Sequence, residues 1–274
     1  MPNKTEKELA FLEDLYVATD WGERFAELVD QHVKLPKKGR ALYVGAGTGG
    51  HALALQQKGG PDLQFLCLDE SKECLELARA KTVALNERTE FQHAKLDDLS
   101  LEDDQFDLVL GNASMIATER LPRVLAELVR VARPGATVAV WLPTLSSFGE
   151  FFSIYWEALT NVGVDGDKVE TLITSLPPVS EMETSLECEG LERITSWTNM
   201  QEFDYESSEQ FLNAPLIADF LMPGWLHSLS VETQMEVAQE IARIIDDDRH
   251  EAAFSLSVKA TLLVGRKAEL PVAG

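Results

Sequence analysis

The sequence predicts an α/β fold with a doubly wound, mostly parallel sheet of seven strands, an antiparallel edge strand and a helical cap insertion. Two observations support this fold class. Through the first half of the chain, short apolar runs alternate with stretches in which apolar residues recur at helical spacing. The last apolar segment first alternates and then runs continuously apolar, as a strand does when only its second half is fully buried. Strands that alternate with helices form a parallel sheet with helices on both faces.

Each predicted strand is a compact apolar run that stops at a turn or at polar residues. The first strand covers residues 41–44 and stops at glycines, which is typical of a buried parallel strand. The other predicted strands are residues 63–68, 90–93, 106–110, 136–142 (after a turn at 133–135), 192–197 and 254–264. The predicted helices are residues 51–57, 71–85 (capped by Ser71), 121–132, 149–161, 168–175, 210–221 and 231–245, with two more within 6–33 that are interrupted near 20–22.

This order of elements predicts three regions. Residues 1–35 form N-terminal helices that contribute to the cover of an active site. Residues 36–267 form the main domain, with a cap insertion at about 207–250, and residues 268–274 form a tail. The two strands that flank the insertion can pair as an antiparallel hairpin at one edge of the sheet.

The composition narrows the class of protein. With 274 residues, of which 45% are hydrophobic, the chain can bury a full core. Its 46 acidic and 24 basic residues give a formal net charge of −22, which repels nucleic-acid phosphates. Three cysteines, Cys67, Cys74 and Cys188, match neither a disulfide framework nor a thiolate zinc site. The N-terminus lacks the apolar core of a signal peptide, and no stretch approaches the ~20 apolar residues of a membrane span. We therefore expect a cytoplasmic protein that acts neither on nucleic acid nor at a membrane.

A glycine-rich loop follows the first predicted strand. Residues Gly45, Gly47, Gly49 and Gly50 let the backbone approach a ligand closely, and the following helix offers unpaired N–H groups to a carboxylate or phosphate. Asp69 ends the second predicted strand, where its two oxygens can accept hydrogen bonds from a ribose diol. The spacing of Gly45, Gly47 and Gly50 also fits G-x-G-x-x-G. On these residues alone, a nicotinamide or flavin dinucleotide is therefore an alternative ligand.

Four segments together resemble a known family. They are the glycine loop at 45–49, the strand end and helix at 68–79, the strand at 106–112 and the helix and turn at 129–135. Over residues 41–145 they resemble, in order and spacing, the Rossmann-like class I S-adenosylmethionine-dependent methyltransferases, in particular the small-molecule branch of the ubiquinone/menaquinone and biotin pathways. The last two of these segments are not expected in an enzyme that binds a nicotinamide or flavin dinucleotide. The resemblance therefore favours methyl transfer to a small-molecule acceptor.

The resemblance implies S-adenosyl-L-methionine as the cofactor and also where it binds. The glycine loop meets its methionine end, Asp69 holds its ribose, and the loop 95–98 borders its adenine. The implied cofactor-binding residues are Tyr43, Gly45, Ala46, Gly47, Gly49, Asp69, Glu70, Leu96, Asp97 and Asn112.

Two positions depart from the family. Tyr43 stands where the family has an acid that helps hold the cofactor's ammonium group, and a phenol is a poorer partner for a cation. Lys95 stands where an acid often meets the adenine amino group, and a lysine cannot accept that hydrogen bond. Asp97 or Asp98 can substitute by a small shift of the loop. These changes leave a second interpretation open, a non-catalytic scaffold or binding protein with a degenerate cofactor site.

The sequence assigns no catalytic residue, because methyl transfer from a sulfonium depends mainly on positioning. Asn112 and Ser114, after the fourth predicted strand, are candidates to line the active site. His227 is the histidine to test as a base. No metal site is predicted, because His32, His51, His93, His227 and His250 lack paired spacing with acids or cysteines. Aromatic and apolar side chains that can wall a substrate pocket, or simply pack in the core, are Trp21, Phe25, Phe148, Phe151, Phe152, Tyr155, Trp156, Phe220, Met222 and Trp225.

Overall fold

The computed structural model describes residues 4–247 and 253–269 of the chain. His250 and residues 270–274 of the predicted tail lie outside this range. The chain separates into two compact units. Unit 1 holds the described residues of Met1–Leu142, Val179–Thr198 and Thr261–Gly274, and unit 2 holds those of Pro143–Pro178 and Asn199–Ala260. The predicted bounds of the N-terminal cover, the cap insertion and the tail stay predictions.

Seven strands form one sheet in the order β3-β2-β1-β4-β5-β7-β6. The strands are β1 (Gly39–Val44), β2 (Leu63–Asp69), β3 (Glu90–His93), β4 (Phe106–Asn112), β5 (Ala132–Pro143), β6 (Leu191–Tyr205) and β7 (Phe254–Lys267). The first five are parallel. Hydrogen bonds that join Ala268 to Gly190 and Thr198 to Thr261 make β6 and β7 antiparallel to each other. The predicted fold class is confirmed.

Eleven α-helices lie within the described residues. They are α1 (Glu6–Leu12), α2 (Glu23–His32), α3 (Gly50–Gly59), α4 (Lys72–Leu85), α5 (Leu121–Val131), α6 (Gly149–Asn161), α7 (Asp167–Ser175), α8 (Val179–Cys188), α9 (Ser208–Asn213), α10 (Met222–Leu226) and α11 (Val231–Asp247). A π-helical segment, Glu13–Gly22, connects α1 to α2 and contains the predicted interruption, and a second one covers Leu216–Leu221.

The alternation of side chains along β1 orients the site. Leu42 and Val44 belong to the large buried cluster that also contains Leu125 and Leu128 of α5. Successive residues of a strand point to opposite faces of the sheet, so Tyr43 points to the other face. Because β1 lies between β2 and β4 in a parallel sheet, its carboxyl end and theirs open at one edge, which carries the glycine loop.

The structure differs from the sequence-based elements in four places. The predicted helix at 210–221 is divided into α9 and the π-helical segment Leu216–Leu221, because Pro215 lies between them and has no N–H to donate. Helix α8 was not predicted; it follows directly after Pro178, where the prolines indicated only a loop. Strand β6 runs well beyond the predicted 192–197. The extension was not predicted because this outer part is largely exposed and lacks an apolar run. The predicted turn at 133–135 lies inside β5, where Gly135 has a φ of +77° and the pairing of β4 with β5 shifts register.

Candidate cofactor-binding site

The glycine loop between β1 and α3 holds three glycines in the left-handed region, Gly45, Gly47 and Gly49, with φ of +74°, +52° and +79°. A Cβ built on Gly45 would lie 2.5 Å from the carbonyl oxygen of Asn112 at the end of β4. Side chains are therefore excluded here by both conformation and space. Gly49 is the N-cap of α3 and has no side chain to cap the helix, so the first turn of α3 keeps N–H groups for an anion.

The amides of the loop itself are committed to the protein. Those of Gly45 and Ala46 donate to the carbonyl of Leu68, at 2.9 and 3.0 Å, and that of Gly49 donates to Ala46. Carbonyl oxygens are acceptors only, so the carbonyl groups of the loop suit a ligand's ammonium group. The loop and the start of α3 together match the two charges of an amino acid.

Asp69 ends β2 and faces the glycine loop. Its Oδ2 accepts a hydrogen bond from the Gly47 amide at 2.7 Å, and its Oδ1 accepts one from the Ser71 amide at 2.9 Å. Burial raises the pKa of Asp69, and these backbone donors oppose the shift. The Glu70 amide is a third backbone donor to this carboxylate, whose two oxygens offer about four acceptor positions, so acceptor capacity remains for a ribose hydroxyl.

Arg120, which directly precedes α5, links two of the predicted cofactor residues. It donates to both oxygens of Glu70, at 3.0 and 2.5 Å, and to Asp97 at 3.1 Å. Glu70 also accepts a hydrogen bond from the Leu96 amide at 3.1 Å. The hydrogen bonds from Arg120 lower the pKa values of both carboxyls. Glu70 and Asp97 are thus held in an ion-pair network. No local sequence pattern indicated Arg120, which lies 50 positions from Glu70.

Tyr43 is buried beneath α3. Its hydroxyl lies 3.0 Å from Nδ1 of His51, and Nε2 of His51 lies 3.5 Å from Asp30 of α2. The ring of Trp141 meets Tyr43 edge to face, with centroids 5.5 Å apart. Burial raises the pKa of the Tyr43 phenol well above its usual value, so this side chain stays neutral.

Asn112, the last residue of β4, contacts Ser114, two residues further along the chain. Oδ1 of Asn112 accepts hydrogen bonds from the amide and the hydroxyl of Ser114, at 3.1 and 2.7 Å. The Ser114 hydroxyl in turn accepts one from Nε1 of Trp21, at 3.1 Å. Trp21 is buried at this edge of the sheet, so the N-terminal segment reaches the end of β4.

The same segment reaches the glycine loop, which the sequence did not reveal. A Cβ built on Gly47 would collide with the Glu13 carboxyl, and the other oxygen of Glu13 accepts a hydrogen bond from the Cys74 thiol at 3.1 Å. Asp14 accepts a hydrogen bond from the Thr48 hydroxyl at 2.6 Å and also pairs with Lys81. These contacts join residues that are 34 to 67 positions apart in the chain, so no local sequence pattern predicts them.

Most of the aromatic candidates pack in cores. In unit 2, Phe151 stacks on Trp225 with ring centroids 4.2 Å apart, and Phe148, Phe152 and Tyr155 are buried with them. In unit 1, Trp21 and Phe25 pack on each other at 4.8 Å. Trp156 is exposed, Phe220 is partly exposed and Met222 is buried. The core-packing interpretation therefore accounts for most of this set.

His227 is exposed in unit 2, with Nδ1 2.6 Å from the carbonyl oxygen of Gly224. Cys67 and Cys74 are buried free thiols and Cys188 is exposed. Within residues 4–247 and 253–269, no three His, Cys, Asp or Glu side chains are grouped to hold a metal. No helix of the described chain is both long and apolar enough to cross a membrane.

These residues fit S-adenosylmethionine. The positive-φ glycines keep the loop free of side chains, and a Cβ built on Gly50 would meet no atom within 4 Å, so the start of α3 is open. Asp69 offers acceptors for a ribose diol, the first turn of α3 offers donors for a carboxylate, and the carbonyls of the loop offer acceptors for an ammonium group.

Comparison with known proteins identifies a methyltransferase domain in this part of the chain. Residues 41–135 match the family described as "Methyltransferase domain". The chain is 28% identical over 167 residues to the demethylmenaquinone methyltransferase of Bacillus cytotoxicus, covering 57% of this chain and 70% of that protein. It is 30% identical over 121 residues to the enzyme of the same name from Staphylococcus aureus, covering 43% of this chain and about half of that protein.

Solved structures with low sequence identity share the fold. The YcgJ protein of Bacillus subtilis superposes with a TM-score of 0.60 and 19% identity, covering 90% of this chain and 100% of that one. A phosphoethanolamine N-methyltransferase of Haemonchus contortus, solved with phosphomonomethylethanolamine and S-adenosylhomocysteine, has a TM-score of 0.57 and 14% identity. That comparison covers 98% of this chain and 62% of the other.

The parallel sheet, the glycine loop and the acid after β2 define a nucleoside-binding α/β enzyme. The match over residues 41–135 and the relatives specify the chemistry: this part of the chain is a methyltransferase domain that uses S-adenosylmethionine. S-adenosylmethionine is its cofactor. Methyl transfer therefore replaces the two alternatives that the sequence left open, a dinucleotide enzyme and a non-catalytic scaffold.

Proposed function

We propose that this methyltransferase acts on a small organic acceptor and holds its cofactor between the glycine loop and Asp69. The observation that carries the cofactor placement is the 2.7 Å hydrogen bond from the Gly47 amide to Asp69, which joins the two binding elements into one site. In this arrangement the carbonyls of the loop receive the ammonium group, the start of α3 receives the carboxylate and Asp69 receives the ribose hydroxyls.

The other predicted residues act around this centre. Leu96 borders the adenine ring, while Glu70 and Asp97 shape that end of the site through Arg120. Ala46 contributes backbone to the loop. Tyr43 supports the loop through His51, and Asn112 fixes the neighbouring strand end.

The residues preceding β1 cover the site in this proposal. Trp21 reaches Ser114, and Glu13 and Asp14 reach the glycine loop. A cover that excludes water prevents hydrolysis of a reactive methyl donor and strengthens the electrostatic interactions inside.

The acceptor is inferred from charge and from the relatives. A net charge of −22 disfavours nucleic acid as the acceptor, and the free cysteines Cys67, Cys74 and Cys188 are in keeping with the reducing cytoplasm. The two curated relatives are named for a quinone-type acceptor, demethylmenaquinone, so phenolic and quinol compounds are the first acceptors to test. A phenol needs a base to deprotonate it, whereas an amine or carboxylate does not. His227 remains the histidine to test for that role.

S-adenosylmethionine supplies an activated methyl group on a sulfonium. When bound, it would offer this carbon to in-line attack with a neutral thioether as the leaving group, and the glycine loop and Asp69 would hold and orient it. The chain contributes mainly orientation and exclusion of water, which accounts for the lack of a catalytic triad.

The test is transfer of a labelled methyl group from S-adenosylmethionine to a panel of quinols, phenols, amines, carboxylates, RNA and DNA. We expect transfer to a member of the small-molecule group, and about tenfold or greater loss of rate at sub-saturating cofactor in Asp69→Asn. The exposed Asp62→Asn is the matched control and should keep the rate of the wild type. Transfer to nucleic acid alone would contradict the proposed acceptor class.

A further inference from the structure

Glu13 lies against the cofactor-binding loop although no sequence pattern placed it there. One carboxyl oxygen packs on Gly47 so closely that a methyl group on that glycine would collide with it, and the other accepts the hydrogen bond from Cys74 at the start of α4. Gly47 belongs to the loop that follows β1, and Cys74 lies in the first turn of α4, directly after the loop that follows β2. The Glu13 carboxyl therefore lies at the two loops assigned to the cofactor.

The groups around Glu13 are mostly acidic. Asp69 accepts a hydrogen bond from the Gly47 amide, and Asp14 follows Glu13 directly in the chain. Lys81 of α4 is the cation that lowers the pKa of Glu13, and it pairs with Asp14. The thiol of Cys74 donates to Glu13, and burial keeps the pKa of that thiol high, so it brings no charge. A carboxylate at Glu13 therefore has no dedicated cation of its own among these groups.

We propose that Glu13 is a cofactor-binding residue whose carboxylate recognises the positive charge of S-adenosylmethionine and thereby favours the methyl donor over the neutral product, S-adenosylhomocysteine. The inference rests on the cofactor placement proposed above. The two compounds share the adenosine and the amino-acid group and differ in the sulfonium charge and its methyl group. A carboxylate in a partly buried site distinguishes them by charge, which helps the product to leave.

Protonation gives this assignment a measurable consequence. Burial raises the pKa of Glu13 to about 7, the Cys74 hydrogen bond opposes the shift, and the charges of Asp69 and Asp14 add to it. A cationic ligand favours the ionised carboxyl, so the pKa falls when the donor binds and a proton is released near neutral pH. Affinity for the donor should therefore rise as the pH increases from about 6 to 8 and then level off.

The experiment is isothermal titration calorimetry of the full chain with S-adenosylmethionine and S-adenosylhomocysteine at pH 7, in two buffers of different ionisation enthalpy. For the wild type we expect release of about half a proton with the donor and markedly less with the product. Glu13→Gln keeps the size and the acceptor oxygen for Cys74 but removes the charge. It should weaken the donor about tenfold or more and the product less than threefold, and it should abolish the difference in proton release.

Glu23→Gln is the matched control, because it removes the same charge from an exposed position at the start of α2. It should bind both ligands as the wild type does. Thermal unfolding of each variant shows whether it is folded. Equal losses for donor and product in Glu13→Gln, or unchanged affinities, would overturn the inference while leaving the cofactor site intact. Failure of the wild type to bind either ligand would instead overturn the proposed cofactor placement.

Discussion

The hydroxyl of Tyr43 lies 3.0 Å from Nδ1 of His51, which joins the end of β1 to the first turn of α3 across the glycine loop. Asp30 lies 3.5 Å from the other ring nitrogen, and a carboxylate there favours a proton on Nε2. Nδ1 is then an acceptor, and Tyr43 donates to it. The residue that replaces the family's acid therefore braces the loop from beneath.

Tyr43→Phe should lower the free energy of unfolding by about 1 kcal/mol, because it removes one buried hydrogen bond. Affinity for S-adenosylmethionine should change less than threefold. Denaturant unfolding and calorimetry measure the two effects, and Tyr16→Phe at an exposed position serves as the control. A tenfold loss of affinity with unchanged stability would show instead that Tyr43 binds the cofactor directly.

Asp30 should make the stability of the protein depend on pH in acid. Its contact with His51, and then the Lys58 ammonium at 2.6 Å, hold the pKa of Asp30 at about 2, below the usual 3.8. A carboxyl whose folded-state pKa is lowered stabilises the fold above its unfolded-state pKa. This contribution should therefore disappear as the pH falls from about 4 to 2.

Unfolding free energies of wild type and Asp30→Asn, measured from pH 6 to pH 2, test this effect. The wild type should be the more stable protein at pH 6, and the two curves should converge toward pH 2. A constant difference over the whole range would contradict the assignment.

Two adjacent glycines should respond oppositely to alanine. Gly49 has a φ of +79°, and a Cβ there would lie 2.7 Å from the ring of Phe91 and 2.9 Å from Ala78. Gly49→Ala should therefore cost about 1–3 kcal/mol of stability. Gly50 begins α3 in open space, so Gly50→Ala should leave the stability unchanged or raise it by up to about 1 kcal/mol. Equal destabilisation by the two changes in thermal melts would refute this account of the loop.

Arg120 should matter for the adenine end of the cofactor, and Arg123 should not. Arg120→Gln leaves Glu70 and Asp97 without their shared cation and loosens the Leu96 amide that Glu70 holds. We expect three- to tenfold weaker binding of S-adenosylmethionine. Arg123→Gln is the control. The Arg123 side chain is 75% exposed and its contact with Asp97 is long, at 4.0 Å, so its loss should leave the affinity as in the wild type. Titration calorimetry compares them, and equal affinities for all three proteins would exclude this role for Arg120.

The alternation of elements up to β5 was predictable, because buried parallel strands and amphipathic helices leave clear periodic patterns. The glycine loop and Asp69 were predictable because they mark the ends of two such strands: the loop follows β1, and Asp69 is the last residue of β2. The exposed outer part of β6 leaves no comparable pattern, and α8 begins where prolines indicated a loop.

The partners of the site residues were not predictable. Arg120 meets Glu70 across 50 positions, and Cys74 meets Glu13 across 61. Such contacts depend on tertiary packing and not on local spacing. The sequence therefore indicated the loops to which the cofactor is assigned but not the side chains that contact those loops.

The most direct test of the account is calorimetric titration of wild type, Asp69→Asn and Asp62→Asn with S-adenosylmethionine, with NAD as a control ligand. We expect micromolar binding of S-adenosylmethionine by the wild type and by Asp62→Asn, binding about tenfold weaker or more by Asp69→Asn, and no binding of NAD. Asp69→Asn that binds as tightly as the wild type, or a wild type that binds NAD instead, would contradict the proposed cofactor site.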